Sequence, residues 1–179
     1  MGPTKWGKGR KIPLYLPERI SHSMTEQQLK KLVTEVVTRL GNEDMTLDLA
    51  LTLTEKVKAK ASEMGVNAVV AVSNSAGNPV TVQCMDDSYI ASYDVAFNKA
   101  YTVVALKMPT TTLKELAQPG GSLYGIQFTN GGKIVIFGGG VPLYNKAGKI
   151  IGGLGVSGGS EGQDTSLAEY GSEVFKSLI

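Results

Sequence analysis

Ala68-Val69-Val70-Ala71-Val72 is a nearly continuous apolar run, Asn74-Ser75-Ala76-Gly77-Asn78-Pro79 is a cluster of turn formers, and Val80-Thr81-Val82-Gln83-Cys84 returns as a second β-prone run. A short run with no polar alternation suits a strand buried on both faces. Asn, Gly and Pro between the runs supply the backbone angles of a turn. The two runs therefore read as a hairpin. On both sides the spacing of apolar residues switches to a helical period. Upstream, Thr46 and Asp48 open a helix whose stripe is Leu49, Leu53, Val57 and Met64, and Gly65 ends it. Downstream, a helix from about Ser88 to Lys107 turns Val95, Ala96, Ala100, Val103 and Val104 toward the core, and Pro109 prevents its continuation.

Thr112 and Glu115 open a short helix that stops at Gln118-Pro119-Gly120. The last third reads as three strands, Lys133–Phe137, about Val141–Tyr144 and Lys149–Val156, with Asn145-Lys146-Ala147-Gly148 turning between the last two. Ser160 and Gln163 form a capping box for a final helix carrying Leu167, Tyr170, Val174 and Phe175. The order helix, two strands, two helices, three strands, helix predicts an α+β domain over 45–179. Its sheet is mostly antiparallel and five-stranded, with helices packed on it.

Residues 1–44 read differently. Gly2, Pro3, Gly7, Gly9, Pro13 and Pro17 break any helix before residue 23, and Lys5, Lys8, Arg10, Lys11 and Arg19 make this arm basic. It is either a surface-draped tail or an arm that docks on an acidic partner. Residues 25–40 spell a short amphipathic helix. Leu29, Leu32, Val33, Val36, Val37 and Leu40 share one stripe, Glu26, Lys30, Lys31, Glu35 and Arg39 lie opposite, Thr25 and Gln28 form a capping box, and Gly41 is the stop.

The totals narrow the function classes. The chain has 179 residues, 42% hydrophobic and 19% charged, with a formal net charge of +2. That composition suits a folded domain, and the charge is too small for a nucleic-acid footprint. Cys84 is the only cysteine and His22 the only histidine, so an intrachain disulfide and a structural zinc site both lack ligands. No apolar run is long enough to span a bilayer, and the N-terminus has no apolar h-region. The expected compartment is the cytoplasm.

Most of the 22 glycines fall from Gly120 onward. Gly153-Leu154-Gly155-Val156-Ser157-Gly158 matches the dinucleotide fingerprint in letters only, because a βαβ unit must follow and about one helix of chain remains. A glycine strand tolerating close packing is the simpler reading. Gly158-Gly159-Ser160 precedes a helix N-terminus, where backbone N–H groups can hold an anion. Gly2 to Lys8 has a P-loop skeleton, but Gly9 stands where Ser or Thr must bind magnesium. Gly138-Gly139-Gly140-Val141-Pro142 either lets backbone N–H groups approach an oxygen-rich ligand or another subunit, or forms a bulge. Cys84 reads as a buried small hydrophobe rather than a nucleophile, and Asp86 and Asp87 as helix-start residues rather than a metal pair. His22 reads as a surface residue outside the domain, with axial metal ligation as the alternative. Lys99 and Asp94, with Tyr93 and Tyr101 on the same helix, either meet a ligand or form a solvated face.

Four stretches together resemble one family: Asn98-Lys99-Ala100-Tyr101-Thr102, Pro119-Gly120-Gly121-Ser122-Leu123-Tyr124-Gly125, Gly138-Gly139-Gly140-Val141-Pro142-Leu143 and Gly155-Val156-Ser157-Gly158-Gly159-Ser160-Glu161-Gly162-Gln163-Asp164. Their order and spacing resemble the GlcG/HbpS family, which includes the C-terminal domain of the propanediol-utilisation corrinoid adenosyltransferase. The resemblance runs from about Met45 to the end. It implies a PAS- or profilin-like α-β-α domain, dimers or octamers, and haem binding. Members that bind haem through a domain histidine have no counterpart here. The resemblance leaves His22, Met85, Lys99, a tyrosine such as Tyr124, or the hydroxyl of Thr129 as iron ligands or ligand-contacting groups, with Gly138, Gly139 and Gly140 beside them. Adenosyltransferase chemistry belongs to a separate domain of that relative and is not expected here. The segment from Glu26 to Val37 resembles the encapsulation peptides that dock cargo on microcompartment shells, which implies a shell-protein partner for residues 25–40 and a place in the lumen.

Three functions follow as expectations. The first is a haem- or tetrapyrrole-binding accessory protein, oligomeric and recruited to a microcompartment. The second is an enzyme on a small metabolite, with Lys99, Asp94 or Glu115 as acid–base groups. The third is a non-catalytic assembly protein. Neither nucleic acid nor membrane is an expected partner.

Overall fold

The computed structural model describes residues 24–40 and 43–179. It contains five helices and four strands: α1 (Glu26–Leu40), α2 (Leu47–Glu63), β1 (Val69–Asn74), β2 (Pro79–Cys84), α3 (Ile90–Ala105), α4 (Thr110–Leu116), β3 (Gly140–Tyr144), β4 (Ile150–Ser157) and α5 (Glu161–Leu178). The chain divides into two compact units between Glu35 and Val36. In α1 the expected capping box is present: the Gln28 backbone N–H donates to Thr25 Oγ1 at 3.2 Å, and the Thr25 N–H donates to Gln28 Oε1 at 2.9 Å. Leu29, Leu32, Val33 and Val36 are exposed. The side chains of Val37 and Leu40 lie outside the described residues.

The hairpin forms as its sequence predicts, and β1 is buried along its first five residues. The sheet order is β2-β1-β4-β3, and every neighbouring pair is antiparallel. Alternation along β1 sends its side chains to opposite layers. Val69 and Ala71 meet Ala96 and Ala100 of α3 on one face. Val70 and Val72 join Leu53, Val57, Leu154, Val156, Leu167 and Phe175 on the other, where α2 and α5 pack. Thr46 caps α2, its hydroxyl accepting from the Leu49 N–H at 3.3 Å. The chain turns away after Met64 through Gly65 at φ +67°. No described helix is long and apolar enough to cross a membrane.

Two expectations are corrected. Residues 133–137 form no strand, so the described sheet has four strands rather than five. Ile134 and Val135 are buried, which gives the segment the apolar signature of a strand. Its backbone partner, however, is a side chain on α3: the Val135 N–H donates to Thr102 Oγ1 at 3.0 Å, and that hydroxyl's own proton goes to Asn98 O at 2.7 Å. A hydroxyl on a helix thus replaces a sheet neighbour. Cys84, expected inside, is exposed at the end of edge strand β2.

Candidate functional site

Sheet and helices converge on the glycine triplet, which runs from the irregular segment into β3. Each of its residues is held by a different element. The Gly138 N–H donates to Glu161 Oε1 at 2.8 Å, at the start of α5. The Gly139 carbonyl accepts from the Val156 N–H of β4 at 2.8 Å. The Gly140 N–H donates to the buried Thr110 hydroxyl of α4 at 2.9 Å. A side chain at Gly139 has no room, because a Cβ would stand 2.7 Å from Lys99 Nζ and 2.8 Å from Val156 O, on a backbone at φ +105°. The triplet does make a close approach, but to the protein's own core rather than to the ligand or second subunit that the sequence suggests.

Lys99 lies beneath it. Its side chain is 0% exposed. Nζ donates to Val156 O at 2.8 Å and to Asp164 Oδ2 at 3.0 Å, and it sits 4.9 Å from the centroid of the Phe137 ring. Burial pushes the Lys99 amine below its ordinary value, and the Asp164 carboxylate pulls the other way. Asp164 is buried too, and its second oxygen accepts from the Gly159 N–H at 2.9 Å. A lysine so enclosed fixes β4, α5 and the glycine triplet relative to one another, and it is closed to substrate.

The same contacts weaken the anion reading at the start of α5. Asp164 takes the Gly159 N–H, and Gln163 Oε1 takes the Ser160 N–H at 2.9 Å, completing the capping box. The Gly159, Ser160 and Gln163 N–H groups are thus occupied from within.

Outside the triplet, Glu161 Oε2 accepts from Lys114 Nζ at 2.7 Å. The Lys114 ammonium and then the Gly138 N–H hold the Glu161 carboxyl below the usual carboxylate range. Lys114→Ala is therefore expected to move the Glu161 titration upward, read from its side-chain carboxyl carbon by NMR. An unmoved midpoint would show that Gly138 alone sets it. A carboxyl whose folded pKa is depressed stabilises above its unfolded value, and that contribution is lost as pH falls through the folded one, so this part of the fold loosens on the acid side.

The other predicted residues scatter. Asp94 and Glu115 are exposed on α3 and α4, while Lys99 is enclosed, so the three form no acid–base cluster. Met85 is half-buried, and its sulfur accepts from the Ala68 N–H at 3.4 Å. His22 lies outside the described residues. Tyr124 and Thr129 share a run of tight turns over residues 121–132, which ends in Asn130, Gly131 and Gly132, all at positive φ. Tyr124 is 65% exposed and Phe128 83% exposed. The run is tied to α3 by Asn130 Nδ2, which donates to the Tyr101 hydroxyl at 3.2 Å, and Lys133 Nζ lies 5.6 Å from the Tyr101 ring centroid. The Thr129 hydroxyl donates to Ile126 O at 2.7 Å and stays exposed. Among the described residues no group of three His, Cys, Asp or Glu side chains could hold a metal ion.

Sequence reading missed Asp164, Thr110, Glu161 and Phe128. Asp164 and Glu161 pass for ordinary first-turn acids of α5, and only the tertiary fold brings Lys99 to them. Phe128 could have been suspected as a lone aromatic between turn formers.

Residues 45–173 match the family described as haem degrading protein HbpS-like. The chain is 45% identical over 134 residues to an uncharacterised 15.0 kDa protein of the dhaT-dhaS intergenic region of Citrobacter freundii, covering 75% of this chain and 94% of that one. It is 39% identical over 117 residues to the corrinoid adenosyltransferase PduO of the same organism, where the match covers 65% of this chain but 35% of PduO. Among solved structures, the PduOC:haem complex superposes with a TM-score of 0.69 at 35% identity, covering 73% of this chain and 94% of that one.

Proposed function

The chain belongs to the HbpS-like family, and from that membership we propose that it is a haem-binding accessory protein. The observation that carries this reading is the likeness to PduOC, solved as a haem complex and matched over nearly its whole length. The run over 121–132 suits such a ligand in kind. Phe128 and Tyr124 leave aromatic surface uncovered, and a flat apolar macrocycle gains most from such surface. The Tyr124 and Thr129 oxygens stand in the same run as oxygen donors, and Lys133 supplies a cation for a carboxylate edge. A bound haem would supply redox chemistry at its iron, with the protein supplying any ligand to the metal. Lys99 and Met85 are poor ligands, since each would first have to leave the hydrogen bonds it makes inside the fold. His22 remains a proposed axial ligand from the N-terminal segment.

Residues 1–44 are assigned as the docking segment and 45–179 as the ligand-binding domain, in a dimer or octamer. The family match from residue 45 supports that limit, while packing divides the chain earlier, inside α1. The exposed apolar side chains of α1 support docking on a microcompartment shell protein, and with it a cytoplasmic protein housed in the lumen. A PAS- or profilin-like relationship fits the helix-sheet-helix layering.

Haemin titrated into the purified chain is expected to give a saturable, stoichiometric Soret shift. Phe128→Ala should weaken binding about tenfold, as loss of a large aromatic contact does. A spectrum that changes linearly with haemin, without saturation, would sink the haem reading. A saturable shift unaffected by Phe128→Ala but lost in His22→Ala would move the site to the N-terminal segment.

A further inference from the structure

A recess of about 120 Å³ lies between the start of α4 and the outer face of α5. Its floor is the backbone of Gly139 and Gly140, its walls include Pro109, Val141 and Ala168, and its polar groups are Thr111, Thr165 and Glu169. For scale, a cavity of about 150 Å³ accepts a benzene ring. This recess therefore admits a ligand of about five non-hydrogen atoms, far smaller than a porphyrin. It is independent of the haem reading.

The chemistry of the lining selects the ligand. The two nearby lysines are neutralised from within, Lys99 by Asp164 and Lys114 by Glu161. Glu169 makes no ion pair among the described residues, and the hydroxyls of Thr111 and Thr165 make no hydrogen bond there. The recess thus presents one uncompensated negative charge, two oxygens able to accept, and an apolar wall. An anion is repelled by Glu169, and a neutral alkane leaves all three polar groups without partners. A primary ammonium has three donors for those three acceptors, and a short alkyl chain suits the wall.

We propose that this recess binds a short primary alkylammonium ion, its chain against Pro109, Val141 and Ala168 and its ammonium among Glu169, Thr111 and Thr165. Gly139 and Gly140 present bare backbone to the recess, since a Cβ on either would point into the core on the other side.

The test is an amide NMR titration of the full chain with butylammonium, beside 1-butanol as the uncharged probe of similar shape. Butylammonium is expected to give saturable shifts centred on residues 109–111, 139–141 and 165–169, with affinity in the millimolar range suited to about five non-hydrogen atoms. Butanol should bind more weakly. Glu169→Gln lies on an exposed position and leaves the rest of the spectrum in place, and it should lower butylammonium affinity about fivefold while sparing butanol. Shifts that never saturate, or that spread over the exposed carboxylates of the whole surface, would overturn the proposal. Equal affinity for the two probes, unchanged by Glu169→Gln, would overturn it as well.

Discussion

Gly155→Val is expected to destabilise the domain by about 3 kcal/mol or more, the upper range for forcing atoms into a packed interface. Gly155 lies at the centre of the sheet, in β4, paired with Ala71 on one side and Gly140 on the other. α3 crosses directly over it. A Cβ here would contact Ala96 O closely, and would stand 2.7 Å from the Ala100 N and 2.9 Å from Lys99 Cβ. Two of those three atoms are helix backbone, which cannot rotate aside as the end of a long side chain can. Relief would have to come from lifting α3 off the sheet, opening the layer that Val69, Ala71, Ala96 and Ala100 close. That lift would also carry Lys99 away from Val156 O. Urea unfolding followed by circular dichroism measures the loss as a lower midpoint at similar slope. Gly162→Ala is the control, since a Cβ there meets nothing within 4 Å and its midpoint should stay or rise slightly. A Gly155→Val midpoint equal to wild type would mean that α3 is not seated on β4 as described.

The same glycine shows what a sequence can and cannot reveal. Gly153-Leu154-Gly155 reads as a strand allowing close approach, and it is one, because a run without side chains on one face has few other uses. The Ser160–Gln163 capping box and the hairpin were legible for the same reason: each is a local arrangement whose partners lie within a few residues. Residues 133–137 misled because strand and irregular segment share an apolar signature when both are buried. What separates them is the Thr102 hydroxyl, about 30 positions away, which accepts the Val135 N–H in place of a neighbouring strand. Cys84 misled because burial depends on place in the sheet, and nothing in Val80–Cys84 says that β2 is an edge. Lys99 reads from the sequence as ligand-facing or solvated, whereas the fold encloses it. A lysine on a helix suggests a solvated or ligand-facing group, and only the fold brings Asp164 to it.

Lys99→Met is the second change expected to have a large effect, about 3–5 kcal/mol, the usual result of removing one partner from a buried ion pair. The loss comes chiefly from what stays behind. Asp164 would keep its hydrogen bond from the Gly159 N–H but lose its counter-charge in a site closed to water, and Val156 O would lose its donor. Lys99→Met with Asp164→Asn removes the stranded charge and should recover part of the loss, so the two changes should be strongly non-additive. Additive effects would mean that the pair does not act as a unit. The pH dependence gives a second readout with a definite sign. Burial lowers the Lys99 amine in the folded chain, whereas in the unfolded chain it titrates near the ordinary value of about 10.4. Between those two values the unfolded chain holds more protons than the folded one, so this group makes stability rise with pH through that window. Lys99→Met abolishes the increment, and wild type minus variant stability should therefore widen as pH climbs toward about 10.4. A difference that narrows instead would mean that Asp164 outweighs burial and holds the amine above its ordinary value. Lys99 would then act mainly as a paired charge, and the glycine triplet would owe its position to Thr110 and Glu161.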